Sequence, residues 1–104
     1  NIFLVKNETI YTHPESKYIL SGCVRNAILR FSKELNISLA EQAFEVSAIE
    51  DADELFLSSS TAEIVPIIQV NDKLIADGKP GTVTKKLQEA YEKDAQIIQT
   101  KIIN

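Results

Sequence analysis

Residues 54–66, Glu54-Leu55-Phe56-Leu57-Ser58-Ser59-Ser60-Thr61-Ala62-Glu63-Ile64-Val65-Pro66, decide the fold. Leu55 to Leu57 is a short apolar run and reads as a buried strand. Four consecutive hydroxyl residues follow, Ser58 to Thr61, and a second apolar run, Ile64 to Ile68, begins almost at once. Hydroxyl side chains bond nearby backbone groups and so favour turns over continued ladders. Two buried strands joined there would gather several N–H and O–H donors at one point, chemistry suited to an anion. The same residues also serve as an ordinary polar connection, and the stretch alone leaves both readings open.

Outward from this stretch, composition sets the bounds. The 104 residues suit one domain, and 44% hydrophobic with 25% charged residues is ordinary globular material. Eleven Lys and Arg against fifteen Asp and Glu give a net charge of -4. Neutralising nucleic-acid phosphates requires clustered cations, so nucleic acid is excluded as a partner. No apolar run approaches the ~20 residues of a membrane helix, so no membrane span is expected. A single cysteine, Cys23, rules out an intrachain disulfide and fits a reducing, cytoplasmic compartment. One His and no Cys cluster leave no recognisable metal site. The chain opens at Asn1 on an apolar strand, which reads as the interior of a longer protein.

Taken in order, Ile2 to Val5 and Thr9 to Thr12 form a hairpin around Lys6-Asn7-Glu8. His13-Pro14 ends it, because Pro14 lacks an N–H and holds His13 extended. His13 reads as a loop residue, with no motif placing a partner beside it. A helix to about Leu35 has Val24, Ala27, Ile28, Phe31 and Leu35 on one face, with Arg25 and Arg30 among the residues off it. Ser21 is its expected N-cap. The N–H groups of Gly22, Cys23 and Val24 then point outward from the positive end of the helix dipole, a second candidate anion site of a generic kind. Cys23 reads as a small packing residue. A strand is expected at 43–46, followed by a short helix opened by the capping box Ser47-Ala48-Ile49-Glu50. Pro66 marks an edge strand or bulge within 64–70. Asn71-Asp72 makes a turn, residues 73–76 pair back, and 77–81 is a Gly- and Pro-rich loop. The last helix starts near Val83, with Val83, Leu87, Ala90, Tyr91 and Ile98 on one face, and an Ile-rich tail that packs against something.

Four segments in this order resemble the C-terminal domain of D-amino acid aminotransferases, which belong to the branched-chain aminotransferase fold group of pyridoxal-phosphate enzymes. They are Tyr11-Thr12-His13-Pro14, then residues 19–25 (Ile-Leu-Ser-Gly-Cys-Val-Arg), then residues 52–66, then Asp77-Gly78-Lys79-Pro80-Gly81 with residues 86–90. The resemblance covers essentially the whole chain. It implies an α/β fold (α+β by some schemes), a mixed sheet or pseudo-barrel with two main helices and one short one. It also implies that residues 1–104 are one domain, the C-terminal part of a longer two-domain enzyme.

The implied activity is amino transfer between a D-amino acid, of the D-alanine type, and a 2-oxo acid, with pyridoxal 5'-phosphate as electron sink. By position in the family motifs, the N–H groups of Cys23 and Val24 hold the cofactor phosphate and Ser60 adds a hydrogen bond, with Ser59 or a water as the group that could compensate for a hydroxyl missing at position 24. Leu20 lies under the pyridine ring, and the N–H groups of Ser60 and Thr61 face the substrate carboxylate. The family usually has Thr at the position of Val24, so a hydroxyl bond to phosphate is lost while the N–H remains. Such a charge-assisted bond is worth roughly 1.5–3 kcal/mol. Cys23 stands where the family prefers Ile.

The Schiff-base lysine, the carboxylate opposite the pyridine nitrogen and the phosphate-binding arginine belong to motifs upstream of Asn1. No catalytic residue is therefore assigned within the chain, and an N-terminal domain and a homodimeric partner are implied. Two alternatives stand beside this reading: a branched-chain aminotransferase or aminodeoxychorismate lyase of the same group, and a non-catalytic domain that binds a ligand or partner.

Overall fold

The computed structural model of the chain describes residues 1–14, 22–59 and 63–103, with side chains described as far as residue 94. In order the elements are β1 (Ile2–Lys6), β2 (Thr9–Thr12), α1 (Cys23–Glu34), β3 (Ser38–Glu41), α2 (Val46–Glu50), β4 (Glu54–Ser59), β5 (Glu63–Pro66), β6 (Gln69–Val70), β7 (Lys73–Leu74) and α3 (Thr82–Ile103). Two long helices and a short one on a mixed sheet match the expected class.

The β1–β2 hairpin forms as expected, with Phe3 opposite Thr12 and Lys6 opposite Thr9. Its turn holds Asn7 at φ 51° and Glu8 at φ 63°. Left-handed geometry at both positions matches the twist of the flanking strands. Asn tolerates that geometry, but Glu pays a steric penalty for its Cβ. Glu8→Gly is therefore expected to stabilise the fold by about 1 kcal/mol. A rise in the denaturant midpoint checks it, and an unchanged or lower midpoint contradicts the account of the turn.

β4 pairs with β1 antiparallel, Phe3 opposite Phe56 and Val5 opposite Glu54. β5 adds to β4, and β3 adds to β2 in parallel, giving the order β3-β2-β1-β4-β5. Pro66 ends β5, an edge strand, where the missing N–H breaks no ladder on the outer side. The expected strand over 64–70 is thus divided. β6 and β7 form a separate hairpin around Asn71, which sits at φ 54°.

Strand alternation sorts side chains onto two covered faces. Phe3, Val5, Ile10, Phe56 and Ile64 pack with Val24, Ile28 and Phe31 of α1 and Val83 and Leu87 of α3. The rings of Phe3 and Phe56 stack with centroids 5.0 Å apart. Leu4 and Leu55 face the other way, onto Ala52, Ile75 and the segment carrying Phe44, Ala48 and Ile49.

Several expectations are corrected. The strand expected at 43–46 lies instead at Ser38–Glu41, where parallel pairing with β2 supplies its partner. Phe44 sets its ring edge-on to His13, and Val46 begins α2 with 81% of its surface exposed. Glu45, not Ser47, is the N-cap of α2, and no side chain caps it; Ser47 is already inside the helix, so the capping box is not made. Leu35 falls at the C-cap of α1, where the helix ends, and is exposed rather than core. Ile98 and the apolar tail lie beyond the described side chains.

Candidate anion-binding site

The connectivity β2–α1–β3 requires α1 to run back along the sheet between two parallel strands. Its N-terminus therefore lies at the end of the sheet where β2 and β3 finish, β1 starts and β4 finishes. In open α/β sheets, ligands characteristically bind outside the carboxyl ends of strands. Both corners singled out in the sequence, the start of α1 and the end of β4, occupy this one end.

The N-cap of α1 is Gly22, with φ -96° and ψ 157°, and not the expected Ser21. Its carbonyl accepts the first helical bond, from the Asn26 N–H at 3.1 Å. No side chain caps the helix, and no acid stands in its first turn. No described residue accepts the N–H groups of Cys23 and Val24. A Cβ built on Gly22 would meet no described residue within 4 Å. The Cys23 side chain is exposed, whereas that of Val24 is buried in the core at 5% exposure. Val24 thus serves packing through its side chain and presents the site with its backbone alone.

α3 is treated in the opposite way. Glu54, nearly buried on the helical face of the sheet, accepts the Val83 N–H at 3.1 Å and the Thr84 N–H at 2.8 Å. The Thr84 hydroxyl donates to the same carboxylate at 2.9 Å. A carboxylate thus fills the N-terminus of α3, while no side chain caps α1.

The first turn of α1 also carries a cation. Arg25, expected among the residues off the core face, is fully buried. Its Nη1 donates to Asn1 Oδ1 and Thr12 Oγ1, both at 3.2 Å. Its Nη2 donates to the His13 carbonyl at 2.9 Å and to Glu41 Oε1 at 3.0 Å. A cation is unfavourable beside the positive end of a helix dipole. Here the guanidinium is compensated by the Glu41 carboxylate at 3.0 Å, so its charge is held within the fold. Periodicity alone hides this residue, because a helical Arg reads as solvated.

On the β4 side, the Ser58 N–H donates to the Asn1 carbonyl at 2.9 Å. Ser58 and Ser59 are strand residues, paired with Ile64 and Glu63, and not turn residues as expected. By alternation Ser58 shares the face of Phe56 and α1, and Ser59 points to the other face. Leu20, Ser60 and Thr61 lie outside the described residues. Among the described residues no group of three or more His, Cys, Asp and Glu could hold a metal ion, and no helix is long and apolar enough to cross a membrane. A cavity of about 540 Å³ under the second face, lined by Leu4, Lys6, Tyr11 and Phe44, includes neither residues 22–25 nor 57–59.

The donor set, backbone N–H groups at a helix start with no side-chain cap, fits a phosphate group. Residues 1–70 match the family described as amino-transferase class IV. A D-alanine aminotransferase of Staphylococcus aureus (strain N315) is 41% identical over 93 residues, 89% of this chain and 33% of that protein. A D-alanine aminotransferase of Bacillus licheniformis is 35% identical over 92 residues, 88% of this chain and 32% of that protein. Among solved structures, a branched-chain amino acid aminotransferase from Escherichia coli superposes with a TM-score of 0.83 at 37% identity, over 88% of this chain and 31% of the other. An aminotransferase from Brucella abortus bound to the cofactor PLP gives 0.85 at 25% identity, over 92% and 33%. The chain spans about a third of the length of the curated relatives it matches.

Proposed function

This chain belongs to the class IV aminotransferases, and on that premise we propose that it forms the C-terminal domain of a pyridoxal-phosphate enzyme moving an amino group between D-alanine-type amino acids and 2-oxo acids. The observation that carries the reading is the contrast between the helices: α3 has its first N–H groups filled by Glu54, whereas no described residue accepts those of Cys23 and Val24.

In this reading those two N–H groups hold the cofactor phosphate, and Ser60 adds a hydrogen bond from the β4 side; Ser59, paired with Glu63 and with its side chain on the other face of the sheet, is set aside. Leu20 supports the ring, and the N–H groups of Ser60 and Thr61 orient the substrate carboxylate. When bound, the cofactor supplies the electron sink for the transfer. The task of this domain is to fix the phosphate, so that the reacting carbon is presented in one orientation to the catalytic lysine carried elsewhere in the enzyme. The enzyme is read as a cytoplasmic homodimer, with the single cysteine consistent with a reducing compartment.

The D-amino acid assignment rests on the curated relatives named D-alanine aminotransferases. The Escherichia coli structure, at 37% identity, favours a second reading, a branched-chain aminotransferase. Assaying the whole enzyme with 2-oxoglutarate separates them. Turnover with D-alanine and little with L-leucine is expected, and the reverse order selects the second reading. The 104-residue chain by itself is expected to give no sustained turnover with either, because no residue in it takes the role of the catalytic lysine.

A further inference from the structure

The Arg25 guanidinium joins more of the fold than any packing role requires. From the third residue of α1 it reaches the start of β1 (Asn1), the end of β2 (Thr12), the loop after it (His13) and the end of β3 (Glu41). Thr12 is itself fixed, its hydroxyl donating to the Ile2 carbonyl at 2.9 Å. Through Asn1 the network continues to β4, since the Asn1 carbonyl accepts the Ser58 N–H. Two bonded steps therefore connect the first turn of α1 to the strand that leads into the hydroxyl residues. Burial makes the connection stiff: Arg25 is 0% exposed, and its planar fork presents its donors in fixed directions. A lysine offers one compact ammonium and cannot reach four acceptors in that arrangement.

We propose that Arg25 is the positioning residue of the phosphate corner, locking the α1 donors to the end of β4 through Asn1 without itself contacting the ligand. The inference rests on the reading of the α1 N-terminus as the phosphate site. It goes further by assigning the alignment of the two corners to one buried side chain. Site donors are effective only when their supports hold them in place. Loosening the support should therefore weaken binding even where every donor survives.

The test uses the whole enzyme, stripped of cofactor and titrated with pyridoxal phosphate, with the melting temperature of the cofactor-free form recorded alongside. Arg25→Lys is expected to raise the cofactor dissociation constant about tenfold, the scale on which outer-shell supports act. Asn1→Ala leaves the bonds of Arg25 to Thr12, His13 and Glu41 in place but cuts the step toward β4. It is expected to weaken binding about threefold or more. Should Arg25→Lys fail to fold, Asn1→Ala decides. If a folded variant of the two binds pyridoxal phosphate as tightly as the parent, with only its cofactor-free melting temperature lowered, Arg25 serves the fold alone and the proposal is overturned. Cys23→Pro, which deletes one donor, separates this failure from failure of the site. If it also leaves affinity unchanged, the phosphate reading falls and the proposal falls with it. If it weakens binding while Asn1→Ala and Arg25→Lys do not, only the role of Arg25 is lost.

Discussion

Gly81→Ala is expected to destabilise the fold by about 3–5 kcal/mol, a large part of the 5–15 kcal/mol that holds a typical domain together. The cause is local and steric. A Cβ at position 81 would fall on the carboxyl group of Glu54. That carboxylate cannot move aside freely, because it accepts the Val83 and Thr84 N–H groups and the Thr84 hydroxyl in a buried setting. Gly81 is the N-cap of α3, its carbonyl accepting the Lys85 N–H at 3.1 Å. Having no side chain, it cannot cap the helix itself. Glu54, 29 and 30 residues away in sequence from its two backbone partners, does so from the sheet. Alanine must either overlap the carboxylate or expel it, leaving buried donors unsatisfied.

A double-mutant cycle isolates this cause. Glu54→Ala alone is expected to cost about 3 kcal/mol through the lost charge-assisted bonds. Adding Gly81→Ala to it should then cost about 1 kcal/mol or less, since the group it collides with is gone. Denaturant unfolding reads both numbers. Equal costs of Gly81→Ala with and without Glu54 would contradict the mechanism.

What could be read from the sequence divides along the distance between interacting residues. The β1–β2 hairpin was legible because its signal lies within Ile2 to Thr12, and the core face of α1 because Val24, Ile28 and Phe31 recur at helical spacing. β3 was misplaced because its pairing with β2 brings Ser38 to Thr9 across an intervening helix. The apolar letters of 43–46 gave a stronger local strand signal than the true strand. Capping fared worst. Ser21 and Ser47 are good capping residues by type, yet Gly22 and Glu45 hold those positions without side-chain caps. The one side-chain cap of a long helix among the described residues comes from Glu54, which no local pattern announces.

The candidate site was legible in outline for the same reason. Gly22-Cys23-Val24 at a helix start is a local feature, and its place was read correctly to within one residue. The cation beneath it was not, because the acceptors of Arg25 come from four separate segments. The burial of Val24 was legible from periodicity, and it leaves the backbone as that residue's contribution to the site.

The central claim is that the first N–H groups of α1 bind the cofactor phosphate, and Cys23→Pro in the whole enzyme tests it most directly. Proline is tolerated at the first helical position, where its missing N–H has no partner within the helix. Gly22 before it already has the extended geometry that a following proline requires, and the Cys23 side chain is exposed. The substitution therefore removes one donor and little else. Cys23→Ala, which keeps the N–H, is the reference against which the loss is read. Losing one charge-assisted bond, roughly 1.5–3 kcal/mol, predicts a pyridoxal-phosphate dissociation constant about tenfold to a hundredfold above that of Cys23→Ala. A folded Cys23→Pro enzyme that binds the cofactor as tightly as Cys23→Ala would contradict the claim.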